Sequence, residues 1–189
     1  MARTKVAIIG HSFVRRIKNF IEREKPDGFN LNIENVEGVK YFYKSGGLVK
    51  DMFSFLPAIK RYRPRIVFVQ IGGNDIGKNN PSKIAKEIEE LCCAIYSETG
   101  ANVIVGSLFR RFKPRQCTEA EYEIQRCDTE LQINSFSKRT SIPVNLWKHP
   151  RLGMKCLFDT ADGVHLKYWS QERFYRSLRG AVLANRNSS

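Results

Sequence analysis

The sequence predicts an α/β protein: a three-layer α/β/α sandwich around a doubly wound, mostly parallel sheet of five strands. Three observations point there. Short runs rich in β-branched residues alternate with longer amphipathic segments from one end of the chain to the other. The run from Arg65 to Ile71, β-branched and aromatic between Pro64 and Gly72-Gly73, has the character of a central parallel strand buried on both faces. No linker, repeat or compositional break divides the 189 residues, so residues 1–184 are expected to form one domain and residues 185–189 a frayed tail.

The elements follow in order. Lys5 to Gly10 reads as a buried strand, and Phe13 to Glu24 as a helix with Val14, Ile17, Phe20 and Ile21 at helical spacing. A second strand is expected around Leu31 to Val36. Gly47 then opens a helix with Leu48, Met52, Phe55 and Leu56 on one face and Pro57 as a kink or end. After the strand at Arg65 to Ile71 comes a helix from about Pro81 to Ser97. Its apolar face is Ile84, Ile88, Leu91, Cys92 and Ile95, with Lys83/Glu87 and Lys86/Glu90 four apart on the solvated side. A strand at Asn102 to Ser107, a basic loop, a polar helix at about Thr118 to Thr140, a strand at Ile142 to Trp147 and a helix at about Lys167 to Leu183 complete the chain.

Composition narrows the class. At 42% hydrophobic and 27% charged the chain is globular, which excludes collagen-like and wholly disordered readings. Apolar runs such as Val6 to Ile9 are too short to cross a bilayer, and the N-terminus lacks a signal peptide's apolar core, so an intracellular domain, cytoplasmic or nuclear, is expected. The five cysteines include no CxxC pair and read as small apolar fillers in a reducing compartment. The net charge of +13 points to polyanionic partners: nucleic acid, anionic lipid or acidic glycan.

In a doubly wound sheet the ligand lies beyond the carboxyl ends of the strands. The residues expected there are Gly10-His11-Ser12, Ser45-Gly46-Gly47, Gly72-Gly73-Asn74-Asp75 and, before the last helix, Asp162-Gly163-Val164-His165. Singly each has an ordinary explanation: Ser12 as a helix N-cap, the glycines and Asp162-Gly163 as turns. Together they supply what acyl transfer needs: a nucleophile, oxyanion donors, a base and an orienting carboxylate. His165 suits a general base because an unperturbed imidazole titrates near about 6.5. Asp162, three residues earlier, can fix its tautomer.

These four segments resemble, in order and approximate spacing, the four blocks of the SGNH (GDSL-type) hydrolases, esterases and lipases with a flavodoxin-like sandwich. The resemblance runs from Lys5 to the final helix and rests chiefly on Gly-Gly-Asn-Asp and Asp-Gly-x-His. It implies Ser12 as nucleophile, Asp162 and His165 as the rest of the triad, and Ser12, Gly47 and Asn74 as the oxyanion hole. Gly47 is taken over Gly46, the other candidate, because the family's oxyanion glycine is normally the last before the following helix. Where the family reads Gly-Asp-Ser this chain has His11, which reverses a potential charge beside the nucleophile. The implied activity is hydrolysis of small acyl esters, acetyl above all, without cofactor or metal. SGNH domains similar to this one are also encoded by metazoan retroelements.

Of the three histidines, His149 precedes Pro150 in an expected loop and reads as a surface residue, while His11 adjoins Ser12 and is poorly placed to take its proton. A metal phosphoesterase on Asp75, Asp162 and His165 would have too few imidazoles. The basic residues cluster: Arg15 and Arg16 follow Ser12, and Arg110, Arg111, Lys113 and Arg115 follow the fourth strand. They are the candidate polyanion contacts of an alternative reading, a catalytically weak module binding nucleic acid or another anionic surface. Phe109 and Phe112, interleaved with them, would stack bases or line an acyl pocket.

Overall fold

The computed structural model describes residues 3–186, in which strand and helix alternate. The elements are β1 (Thr4–Gly10), α1 (Ser12–Glu24), β2 (Val36–Tyr43), α2 (Leu56–Tyr62), β3 (Ile66–Gln70), α3 (Pro81–Thr99), β4 (Asn102–Gly106), α4 (Glu119–Arg139), β5 (Val144–Trp147) and α5 (Gln171–Asn185), with 3-10 turns between several of them. The sheet has the order β2-β1-β3-β4-β5 and every adjacent pair is parallel. The order reverses at β1, so the loops leaving β1 and β3 part and open a crevice at their carboxyl ends.

Period-two alternation sends each strand's side chains into two separate cores. Val6 and Ile8 of β1, with Ile66 and Phe68 of β3, pack against Val14 and Ile17 of α1 and Phe174 and Leu178 of α5. Ala7, Ile9, Val67 and Val69 face the other way, onto Ile84, Ile88, Leu91, Cys92 and Ile95 of α3. Both faces of β1 and β3 are buried, which is why these strands read as unbroken apolar runs. The helix ends are equally explicit. Asn80 caps α3 by accepting from the Lys83 N–H at 2.8 Å, and Thr118 caps α4 reciprocally with Glu121.

Five expectations need correction. The second strand lies at Val36–Tyr43, not Leu31 to Val36. Leu31 and Ile33 are buried but project from turns, and Leu31, Asn32 and Asn35 have φ of 59°, 49° and 66°, which no strand can hold. The segment after Gly47 begins as a 3-10 turn, Val49–Phe55, and Pro57 sits in the first turn of α2, where its missing N–H costs nothing. The tail is shorter than expected: α5 runs through Asn185, which is 7% exposed and whose Oδ1 accepts from Asn145 Nδ2 at 2.7 Å. Asn185, expected in the tail, is therefore part of α5, and residues 187–189 lie outside the described residues. Only Cys92 is a buried filler; Cys93, Cys127 and Cys156 are exposed and Cys117 half-buried. Phe109, 6% exposed and packed on Phe13 and His149, belongs to the core and cannot stack a base.

Candidate active site

β1 ends at Gly10, where a side chain is impossible: a Cβ there would lie 2.1 Å from the Gln70 carbonyl oxygen of β3. The two strands approach closely enough to set α1 directly behind the sheet edge. His11 takes the N-cap position of α1 and Ser12 its first helical turn. The Ser12 hydroxyl does not cap the helix. Its Oγ lies 2.8 Å from His165 Nε2, and the Ser12 backbone N–H has no partner among the described residues.

His165 arrives from a loop clamped on three sides. Asp159 N–H donates to the His165 carbonyl, Lys167 N–H to the Leu157 carbonyl and Phe112 N–H to the Gly163 carbonyl, at 2.7, 2.8 and 2.7 Å. Within that loop Asp162 Oδ2 lies 2.7 Å from His165 Nδ1, while Oδ1 accepts the N–H groups of Val164 and His165 at 2.8 and 2.9 Å. Burial opposes ionisation of Asp162, but those N–H groups and the imidazole outweigh it and hold the carboxyl at about 2. Burial also lowers the proton affinity of His165, and the positive charges of Arg16 and Arg111 add to that against the pull of Asp162. The imidazole is thus neutral near neutrality, with Nδ1–H directed at the carboxylate and Nε2 open to the Ser12 proton. Ser12, His165 and Asp162 form one hydrogen-bonded chain.

His11 is 2% exposed, and burial first, then Arg111 and His165, press its pKa down to about 3. It carries no charge near neutrality, so the expected charge reversal beside Ser12 does not arise. Its Nδ1 stands 3.5 Å from Ser12 Oγ, too far to compete with His165.

The expected oxyanion donor Gly47 is otherwise engaged. Its N–H donates to the Lys44 carbonyl at 3.0 Å, and its own carbonyl accepts from Asn74 Nδ2 at 2.9 Å. Gly46, exposed and left-handed at φ 72°, has an N–H with no partner among the described residues. Asn74 is held from its other end by Arg111, whose Nη2 donates to Oδ1 at 2.6 Å. Asp75, fully buried, accepts from the Val49 N–H at 3.3 Å and ties the turn after β3 to the segment after Gly47. Burial raises its pKa to about 6, against the Val49 bond.

Two features escaped the sequence reading. Arg111, grouped with the polyanion contacts, is a member of the site. His149 is half-buried and tied into the interior rather than standing free on the surface: its ring stacks on Phe109 at 4.8 Å, with Nε2 2.8 Å from Gln70 Oε1 and Nδ1 2.9 Å from Ser177 Oγ, and burial lowers its pKa to about 3. Gln70, the one polar residue in the apolar run Ile66 to Ile71, was the signal for this network. Among the other basic candidates, Arg110 pairs with Glu123 at 3.0 Å and Lys113 donates to the Thr160 carbonyl at 2.7 Å. Arg15 and Arg115 are exposed with no ion pair among the described residues.

No protein-family model matches the chain, and no curated protein sequence matches it. Solved structures do. A mutant acetyl esterase with acetate ion superposes with a TM-score of 0.72 at 14% identity, covering 98% of this chain and 100% of the other. A carbohydrate esterase family 3 protein from Talaromyces cellulolyticus gives 0.71 at 15% identity, covering 98% and 99%. A protein from Slackia heliotrinireducens proposed to be an SGNH hydrolase gives 0.70 at 13%, covering 95% and 99%. The fold is that of the SGNH hydrolases.

Proposed function

We propose that this protein is a serine esterase that hydrolyses small acyl esters, acetyl esters in the first instance. The observation that carries the reading is the chain Ser12 Oγ, His165 Nε2 and Nδ1, Asp162 Oδ2, with links of 2.8 and 2.7 Å. Ser12 Oγ attacks the ester carbonyl carbon while its proton passes to His165 Nε2, and Asp162 stabilises the imidazolium. The Ser12 N–H at the start of α1, the Gly46 N–H and the second N–H of Asn74 Nδ2 meet the oxyanion. As the carbon–oxygen bond to the alcohol breaks, His165 returns the proton to the leaving oxygen. Water then attacks the acyl-enzyme with His165 again as base, releasing the acid and restoring Ser12. Likeness to an acetyl esterase and a carbohydrate esterase supports the small acyl group.

Turnover of p-nitrophenyl acetate tests this. Ser12→Ala and His165→Ala are expected to abolish it and His11→Ala to reduce it only in part; an unchanged rate in Ser12→Ala would sink the proposal. A second reading, polyanion binding, draws on exposed Arg15 and Arg115. It requires binding of single-stranded RNA or DNA that weakens steeply with salt, and no binding at low salt would dispose of it.

A further inference from the structure

Arg16 stands four residues after Ser12 on α1, about 6 Å further along the helix axis and on the same face. Helical side chains lean toward the N-terminus, so its guanidinium is carried back toward the triad. It lines a pocket between α1 and the segment just after His165, together with Arg23, Asp159, Lys167, Tyr168 and Gln171.

Two of the residues lining that pocket each carry a buried polar atom that lacks a partner. Arg16 Nε, a donor, has none, and neither has Oε1 of Gln171, a residue 3% exposed. Buried polar groups are normally paired, because leaving one unmade costs most of its desolvation. The Gln171 amide nitrogen is already committed to the Leu166 carbonyl at 3.4 Å, which leaves Oε1 free to accept.

The charge lining the pocket is lopsided. Arg16, Arg23 and Lys167 face a single carboxylate, Asp159, whose Oδ1 is taken by the Ala161 N–H at 2.8 Å. Arg23 lies over the Tyr168 ring and is 3.6 Å from Glu24, and Lys167 lies over the Trp169 ring. Neither Arg16 nor Lys167 has an ion pair among the described residues.

We infer that this pocket is a subsite for the alcohol part of the ester, binding an anionic oxygen group, such as a phosphate, sulfate or carboxylate, with a neighbouring hydroxyl. Arg16 and Lys167 bind the anion, and Gln171 Oε1 accepts a hydrogen bond from the hydroxyl. Its role as a subsite for the alcohol rests on the esterase reading, whereas the anion site stands on its own residues. The positive charge of Arg16 also bears on the His165 imidazole, which agrees with the two being neighbours.

The test has two arms. In the first, phenyl phosphate is titrated calorimetrically into Ser12→Ala protein. Saturable binding is expected, weakened about tenfold by adding Arg16→Gln, the loss of one charge-assisted contact. Lys167→Gln, at a partly exposed side chain, serves as a second variant should Arg16→Gln fail to fold. In the second arm, kcat/KM for the acetyl ester of 4-hydroxybenzoate is divided by that for phenyl acetate in otherwise wild-type protein. That ratio is expected to exceed one and to fall about tenfold in Arg16→Gln. No binding of phenyl phosphate, binding indifferent to both substitutions, or an equal loss on both esters overturns the subsite. Arg16-dependent binding without turnover of any ester keeps the anion site and overturns the esterase reading instead.

Discussion

Arg111 Nη2 donates to Asn74 Oδ1 at 2.6 Å, and the opposite end of the same amide donates to the Gly47 carbonyl at 2.9 Å. The two bonds fix which end of the Asn74 amide is nitrogen. They also leave one N–H of that nitrogen for a ligand. Arg111 in turn lies over the Tyr122 ring, so its guanidinium is braced from behind.

Asn74→Ala is therefore expected to cut kcat by about 10²–10³, the usual loss for one oxyanion donor. Arg111→Gln should lower kcat less, with little change in KM. On the alkaline plateau, where His165 is neutral whether or not the Arg111 charge is present, the loss in the double variant should not exceed that of Asn74→Ala alone, because there Arg111 acts through Asn74. Additive losses in steady-state kinetics would show that Arg111 has a separate role.

The proton affinity of His165 is lowered by burial and by Arg16 and Arg111. The base is active when neutral, so log kcat/KM should rise with unit slope through an apparent pKa below about 6.5 and then level off. Removing the positive charge in Arg16→Gln should move that pKa upward. Asp162→Asn should lower kcat by about 10³–10⁴ through loss of the tautomer and of imidazolium stabilisation. A pH–rate profile of each variant on p-nitrophenyl acetate checks these shifts.

Gly10→Ala is expected to abolish folding, since its Cβ would fall 2.1 Å from a backbone oxygen of the adjacent strand and neither strand can yield. Gly46→Ala has open space around its Cβ and keeps the N–H. It should fold and lose only about 1–2 kcal/mol for a left-handed alanine. Soluble expression and urea denaturation separate the two outcomes.

His11 and His149 both have pKa values near 3 in the folded state, against about 6.5 when unfolded. Above the unfolded value neither state binds the proton and they contribute nothing to pH dependence. As pH falls below it, only the unfolded chain is protonated, and each histidine lowers stability by about 1.4 kcal/mol per pH unit down to the folded value. Asp75, raised to about 6, works the other way between there and its unfolded value. Two histidines against one carboxyl leave a net loss of stability from about pH 6.5 to about pH 4. His149→Phe should make that slope shallower in urea titrations, whatever it costs near neutrality.

Much of the fold was legible because buried parallel strands and two-sided cores impose strong patterns. The apolar face of α3 was read from its spacing, and α4 was placed at about Thr118 to Thr140 as a polar helix. β2 was misplaced because it is an edge strand with half-exposed side chains, whereas the alternating Leu31 to Val36 supplies core residues from a turn. His149 was misread because nothing near it in sequence reveals Gln70, 79 residues away, or Ser177, 28 residues away.

Local periodicity and a spacing of three residues were enough to establish the α/β sandwich, the residues at the strand ends and the pairing of Asp162 with His165. The remainder came from packing. It brought Ser12 within 2.8 Å of a histidine 153 residues away and turned Arg111 onto Asn74. It also occupied the Gly47 N–H with Lys44 while leaving that of Gly46 without a partner among the described residues. A hydrogen bond is directional over a fraction of an ångström. Which of two adjacent glycines, or which of two nearby histidines, meets the reacting atoms is therefore settled by how strands and loops pack, and composition and spacing carry no record of that.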